Sequence, residues 1–564
     1  MRRLPRLADP MIAQMRHERS RAAGIFRFLA LAAIVSCAFL AWVHPQVLDI
    51  TNVGWVLNGR DWGQNALGLA AYLRSGNWPG TATPLMLSPE GIHLLMMDSN
   101  PLLGLVLKPF AGLLPAGVQF IGWWLLISLA LHVRFAWLLV RDKAPDFASA
   151  WLGTALLTLL PTLYNRYIHS NLCSHWLLLW ALWIFLDRDR SRRWGPWLAV
   201  IGVAGLVHSY ILVMVGAIWA SAMLRELIAG SAADRRRAIG MTCVVGMLGI
   251  GLALLHGLAD PPISTGKYGA FPMALDALIN PAHPGYSLFL PSTPDDEGRG
   301  FEGYQYLGAG LILLVVAALA VSIRRRLLTP PSPAPAVMAD LRWLLPAYSV
   351  LTLVAITHGV LFQGERILFV PLPHALIDAL DLVRASGRLF WPVAYTIVYA
   401  ALLVVYRLQK RTLILLAALV LQVADISPML AAIRTDTARA AQPGTYLMTR
   451  DPRWQTVIAS ASAIEMQPPD PLRDLQLIEE TGWRAMLACR PMRHMYVSRV
   501  PRSAQSRIDG DRSAFMAGRV DPTRLYILYR GAAAPAALAA RVRVLDGIAF
   551  IPPSVPAPPP TLCN

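Results

Sequence analysis

Charge is scarce in this sequence. Only 15% of its 564 residues are Asp, Glu, Lys or Arg, and the acids are the scarcer sign, 34 against 51 basic residues. With 55% apolar residues beside them, too little polar surface remains for a soluble globule of this size. The chain therefore reads as a polytopic α-helical membrane protein. Cysteine is scarce too, five in all, and none stands in a CxxC or Cys/His spacing that would hold zinc. Cys37, Cys173 and Cys243 fall in or beside apolar runs, where a thiol packs as a small hydrophobe. Cys489 and Cys563 fall in the polar tail, where an oxidising compartment permits a bond between them, with two unpaired thiols as the alternative. A Ser-His-Asp order, a Walker loop, a GxGxxG after a strand, a kinase signature and an internal repeat are all missing. No small-residue cleavage site follows the first apolar run, so that run reads as an uncleaved spanning helix.

What the sequence does contain is a long series of apolar segments. A spanning helix needs about 20 apolar residues, and such runs lie near 25–44, 119–140, 147–164, 169–187, 238–257, 305–323, 341–359, 389–406 and 412–430. The stretch 195–224 has arginines on both sides, Arg188, Arg190, Arg192 and Arg193 before it and Arg235, Arg236 and Arg237 after it. It must cross twice or re-enter, and its break is expected at "LVHSYIL", around His208, Ser209 and Tyr210. Counting it twice gives about eleven spans. The same arginine clusters, with Arg324, Arg325, Arg326, Lys410 and Arg411, mark cytoplasmic loops. They place the N-terminus inside and the C-terminus outside the membrane. The net charge of +17 is thus accounted for by membrane orientation, and nucleic acid is excluded as a partner.

The outer loops, about 45–100, 258–304 and 360–388, hold Asp49, Asp61, Glu90, Asp98, Asp295, Asp296, Glu297 and Glu302 and few basic residues. Residues 98–115 suit an interfacial or re-entrant helix better than a span. Residues 1–432 are read as the transmembrane domain and 433–564 as a small extracytoplasmic α/β domain ending in a Pro-rich tail. In that tail "PLRDLQLIEETGWRAMLACR", "RSAQSRIDGDRSAFMAG" and "PAALAARV" read helical, while "HMYVSRV", "RLYILYR" and "RVLDGIAFI" read extended.

Three polar constellations face the outer side. Asp61, Gln64 and Asn65 are spaced to share one helix face, with Trp62, Ala66, Leu69 and Leu73 on another. Such a helix could lie on the bilayer with its carboxylate toward a cavity as a general base, or its acid could merely cap an interfacial helix. "NRYIHSNLCSHW" brings Arg166, His169 and His175 to a helix entry, suited to phosphate oxygens or to anchoring at the interface; the six-residue histidine spacing is wrong for a metal pair. Further on, Glu302 and Tyr304 stand in "GRGFEGYQYLG", and Arg384 and Arg388, four apart, would give one cationic helix face for a phosphate or diphosphate, or else hold a span in place. His208 and Tyr210 at the expected break point to the same side. The Asp295, Asp296, Glu297 run reads as a solvated loop.

Locally, "GRDWGQNALGLAAYLRSGNWP", "SPEGIHLLMMDSNPLLGLVLKP", "RYIHSNLCSHWLLLWAL", "FEGYQYLG" and "RASGRLFWPV" resemble an uncharacterised family of bacterial polytopic proteins related to the GT-C superfamily of membrane glycosyltransferases. That resemblance implies a donor sugar on a polyprenyl phosphate, a glycan or lipid acceptor, and membrane lipids around the site. Carried over, Asp61 is the catalytic base, and Gln64, Asn65, Asp98, Arg166, His169, His175, His208, Tyr210, Glu302, Tyr304, Arg384 and Arg388 are candidates for substrate contact. No metal-ligating set is singled out, since a paired DxD is missing and Asp49 lies twelve residues before Asp61, although the superfamily leaves room for a divalent ion. The expected activity is inverting sugar transfer on the outer face. The alternative is a non-catalytic lipid or glycan transporter or an envelope-polymer assembly factor, to which the broken segment at His208 is also suited.

Overall fold

The computed structural model describes residues 8–260, 263–293, 299–328 and 336–563. The acidic run Asp295, Asp296, Glu297 lies outside them. The chain is mostly helical, and among the described residues eight helices are long and apolar enough to cross a membrane, from Ala22–Trp42 to Arg411–Ala441. That is the make-up of a multi-pass membrane protein. Helix Ala309–Leu328 has similar length but ends in three arginines, and Ser170–Phe185 and Trp194–Val207 are apolar but shorter. Of the eleven expected spans, eight are met by length and composition among the described residues. Helices dominate because backbone amides in an apolar medium must be satisfied within the segment.

The expected break at His208 is present. Helix Trp194–Val207 ends there and Ser209–Ala229 begins, with His208 itself extended at φ −166° and ψ 137°. Its Nδ1 accepts from the Tyr210 amide at 3.2 Å and caps the second helix. Helix Ser209–Ala229 then runs to Arg225 and Glu226, and Arg192 binds Glu226 at 3.2 Å. Arg188 binds Asp340 and Arg411 binds Asp146 nearby in the chain's arginine-rich connections. One end of this helix thus carries the arginine clusters and the other carries His208 and Tyr210.

Two polar side chains inside the bundle, Gln422 and Asp425, are tied to backbone. The Gln422 amide donates to the Leu159 and Leu307 carbonyls and accepts from the Leu311 amide, all within 3.0 Å. Asp425, fully buried, accepts from Ser287, from Tyr306 at 2.6 Å and from the Ala309 amide at 2.9 Å, so it caps helix Ala309–Leu328 from a neighbouring helix. Close approach at that crossing depends on Gly310, where a Cβ would lie 2.1 Å from the Ala418 carbonyl oxygen.

Outside the bundle, the helix Asp61–Ser75 departs from expectation. Every residue except Asp61 and Arg74 is buried, so it has no face left for the bilayer. The glycines opposite the apolar stripe explain this. A Cβ on Gly63 would meet the Glu479 carboxylate at 2.3 Å, and one on Gly68 would meet the Ser99 hydroxyl at 2.2 Å. The helix is clamped on both sides, by helix Leu475–Leu487 and by the segment around residue 99. An exposed apolar stripe lies instead on Pro101–Leu113, at Val106, Phe110 and Leu113, as expected of an interfacial element.

The C-terminal part builds a four-stranded sheet in the order Ile464–Gln467, Leu525–Leu528, Ile548–Ile551, Arg543–Leu545. The first pair is parallel and the others antiparallel. "RVLDGIAFI" is not one strand but a hairpin, because Asp546 and Gly547 both take positive φ, 51° and 75°, as a tight turn requires. Strand Ile464–Gln467 alternates apolar and polar residues but is buried on both faces, and the sequence reading did not single it out. "PAALAARV" forms a 3-10 turn, and "HMYVSRV" is irregular except for isolated bridging nearby. The Cys489–Cys563 disulfide is formed. Trp62 and Leu67 share a continuous buried cluster with Ile478 and Trp483, so the sheet domain is docked on the first outer helix. We expect Gly310→Ala to lower the thermal midpoint in detergent, by about 1–3 kcal/mol of overpacking, whereas Gly246→Ala, whose Cβ meets nothing, should leave it unchanged.

Candidate functional site

A cavity of about 540 Å³ opens where one end of the helix bundle meets the C-terminal domain. Asp61 enters it from the first turn of its helix. The preceding turn is set by Gly59, at φ 78°, whose amide donates to Glu479 at 2.8 Å. Burial beside Asp61 and Glu480 pushes the Glu479 carboxyl well up from its usual range. Asp98 enters from a left-handed residue, φ 52°, and its carbonyl accepts from Asn65 at 2.5 Å and Asn171 at 2.7 Å. Asn65 therefore orients Asp98 and does not itself line the cavity.

Around these acids the charges alternate. The Asp98 carboxylate takes His169 Nδ1 at 3.3 Å and His208 Nε2 at 3.2 Å. The other face of His169 meets Asp61 and Glu302, each 3.6 Å from Nε2. Glu302 in turn is held by Arg166 at 2.8 Å and by Arg388 at 2.6 and 2.5 Å. Burial alone would raise Asp98, but the hydrogen bonds and charge of the two histidines hold it far below the carboxylate range. Glu302 is held low against burial by Arg388, His169 and Arg166. Burial works against a charged His169, yet Asp61, Asp98 and Glu302 together raise it to about 9.

The structure brings together Asp61, Gln64, Asp98, His169, His208, Tyr210, Glu302, Arg384 and Arg388 as lining residues. Gln64 points a buried Nε2 that has no partner among the described residues. Arg166 stands behind Glu302, buried, its guanidinium 3.9 Å above the Phe301 ring. Two candidates lie elsewhere. His175 is buried in the bundle, hydrogen-bonded to Tyr395 at 2.9 Å and packed on Trp391. Tyr304 donates to Met429 sulfur and packs toward His283 and Tyr286. Arg384 and Arg388 do not form one cationic helix face, because the chain between them is a bend and a 3-10 turn and Arg388 is consumed by Glu302. Sequence reading missed Phe301, Tyr496, Ser498 and Arg499. The last three come from "HMYVSRV", which crosses the cavity with the Tyr496 phenol against Asp61. Burial and Asp61 push that phenol up. The segment's only sequence signal was apolar alternation, which says strand and gives no hint of return to the site.

A model of the family described as a domain of unknown function, DUF6311, matches residues 32–427, and a model of the DUF6311 C-terminal domain matches 453–553. The chain belongs to the DUF6311 family. No curated protein matches it. Among solved structures it is similar to the oligosaccharyltransferase of Archaeoglobus fulgidus tethered to an acceptor peptide, at 13% identity and a TM-score of 0.40. That match covers 82% of this chain and 64% of the other, so the chain spans less than two thirds of its neighbour's length. A second similarity is to the archaeal oligosaccharyltransferase AglB from Archaeoglobus fulgidus in complex with an inhibitory peptide and a dolichol-phosphate, at 11% identity and a TM-score of 0.36, covering 89% and 70%.

In this DUF6311 chain the donor set does not suit a divalent ion. Both Glu302 oxygens face guanidinium groups, both Asp98 oxygens face imidazoles, and His169 occupies the point where the three carboxylates converge. Asp61 is the acid met least tightly, by His169 at 3.6 Å and by Tyr496. The cavity is also rimmed by apolar residues that remain exposed, Val213, Leu258 and Leu382 among them. Because His169 is raised to about 9 from an ordinary 6.5, its ion pairs stabilise the fold fully below about pH 6.5. That contribution is lost as pH rises through about 9. Thermal midpoints measured between pH 6 and 10 should fall more steeply for the wild-type DUF6311 protein than for His169→Gln, the two profiles converging at high pH.

Proposed function

We propose that the protein is a membrane glycosyltransferase of the GT-C type, moving a sugar from a polyprenyl-phosphate-linked donor to a hydroxyl of an envelope glycan or lipid. The observation that carries this reading is the Asp61 carboxylate, placed in a cavity that joins a polar floor to an exposed apolar rim. Asp61 takes the acceptor proton as the acceptor oxygen attacks the anomeric carbon from the face opposite the lipid phosphate. The bond to the phosphate breaks, the configuration inverts, and negative charge collects on the departing phosphate oxygens, where the arginines of the rim and the protonated His169 stabilise it. Gln64, with its free Nε2, is suited to a sugar or acceptor oxygen. Asp98 and Glu302 act by holding His169, His208 and Arg388 in place.

The cavity lies on the extracytoplasmic side of the inner membrane in this reading. It sits at the end of helix Ser209–Ala229 opposite the arginine clusters, and the domain above it carries a disulfide, which an oxidising compartment sustains. Residues 1–432 form the membrane domain, with Ala309–Leu328, Ser170–Phe185 and Trp194–Val207 as further membrane helices, and 433–564 form the outer domain. The buried floor of Arg166 and Glu302 favours an enzyme over a transporter, which would need a continuous polar path.

Asp61→Asn should abolish transfer of a radiolabelled sugar from lipid donor in reconstituted vesicles, by on the order of 10²–10⁴-fold, while the protein still inserts and folds. A fully active Asp61→Asn enzyme would sink the assignment of the base.

A further inference from the structure

Most cations around the cavity are neutralised by a carboxylate, but two are not. Arg384 and Arg499 have no carboxylate oxygen within ion-pair distance among the described residues. Instead both reach one backbone oxygen, the Ser498 carbonyl, at 3.4 Å from Arg384 Nη2 and 2.9 Å from Arg499 Nη1. Arg384 Nη1 touches only the Thr265 hydroxyl, at 3.5 Å, and Arg499 Nη2 the Asp381 carbonyl, at 2.9 Å. The nearby Asp381 carboxylate is unavailable, since it accepts from the Thr265 and Lys267 amides at 2.8 and 2.9 Å and from the Thr265 hydroxyl. Two guanidinium groups converging on one oxygen repel each other, and partial burial weakens the water that would screen them. Such an arrangement is stable when an anion sits between the two forks, because guanidinium groups donate paired hydrogen bonds to phosphate oxygens.

Arg499 belongs to the irregular segment 494–500, and its position is fixed from below. Ser498 donates from its amide and from its hydroxyl to the Met96 carbonyl, at 2.8 and 2.9 Å, beside Asp98. Arg384 follows Leu382 and Val383, and Leu382 is 66% exposed at the cavity rim. An anion held by both arginines would therefore have a polar cavity on one side and an apolar, outward-facing border on the other.

We infer that Arg384 and Arg499 form a two-guanidinium site for the phosphate of a prenyl-chain lipid, so that the C-terminal domain supplies half of the donor headgroup site. This deepens the glycosyltransferase reading and rests on it for the role of the bound lipid. It also reassigns the phosphate from Arg388, which Glu302 already occupies, to Arg499.

The test is calorimetric titration of the full-length protein in detergent with farnesyl phosphate, inorganic phosphate and farnesol. Farnesyl phosphate is expected to bind, and Arg384→Gln and Arg499→Gln each to weaken it about tenfold or more, roughly 1.4 kcal/mol, at unchanged thermal midpoints. Arg499→Lys should keep part of the affinity, because the charge remains while the paired geometry is lost. Wild-type affinity in both Gln variants would overturn the site. Inorganic phosphate binding as tightly as farnesyl phosphate would overturn the lipid as its source, and farnesol binding as tightly would overturn the role of the phosphate. Asp61→Asn should bind farnesyl phosphate like wild type, so loss of the base assignment and loss of the anion site give different results.

Discussion

Glu302 stands between Arg166 and Arg388, three residues from loops far apart in sequence that meet in a buried ion triad. Taking these charges out of water is costly, and the cost is met only while all three partners stay in register; removing one from such a group typically costs about 3–5 kcal/mol. The triad thus fixes the outer ends of the helices that begin near Arg166 and Arg388 against the loop carrying Glu302. His169 extends the same network to Asp98 and Asp61, and Asp98 extends it to the break at His208. The position of the proposed base follows from this alternation of sign.

The second constraint is steric. Gly63 and Gly68 leave gaps on two sides of helix Asp61–Ser75, and the Glu479 carboxylate fills one and the Ser99 hydroxyl the other. The C-terminal domain is thereby seated directly on the helix that carries Asp61, and its segment 494–500 crosses the cavity. Tyr496 and Arg499 reach the site because Ser498 is tied to Met96, two residues from Asp98. The C-terminal domain is accordingly part of the site wall. A domain joined only by a linker would not hold these side chains against the membrane helices.

The bundle beneath uses polar groups differently. Gln422 and Asp425 satisfy backbone at the start of helix Ala309–Leu328, where a carbonyl or amide would otherwise face an apolar surrounding unpaired. His175 instead bonds a side chain, the Tyr395 hydroxyl, inside the bundle. These are structural uses of residue types that, on the outer side, gather in the cavity. Residue type alone did not separate the two uses: His169 and His175 stand six apart in one motif, yet a turn places the first in the cavity and the start of a helix buries the second.

The sequence by itself determined the membrane character, most of the helix positions and the break at His208. Each of these follows from local physics, namely apolar run length and the capping capacity of a polar interruption. It also brought forward Asp61, Asp98, His169, Glu302 and Arg384, because buried acids and cations in short polar stretches stand out against an apolar background. Only the tertiary structure decided that helix Asp61–Ser75 is clamped between two partners, that Arg388 is spent on Glu302, and that "HMYVSRV" returns to the cavity. Those outcomes depend on which surfaces meet across hundreds of residues, through glycine contacts and ion pairs that leave no periodic trace in the chain.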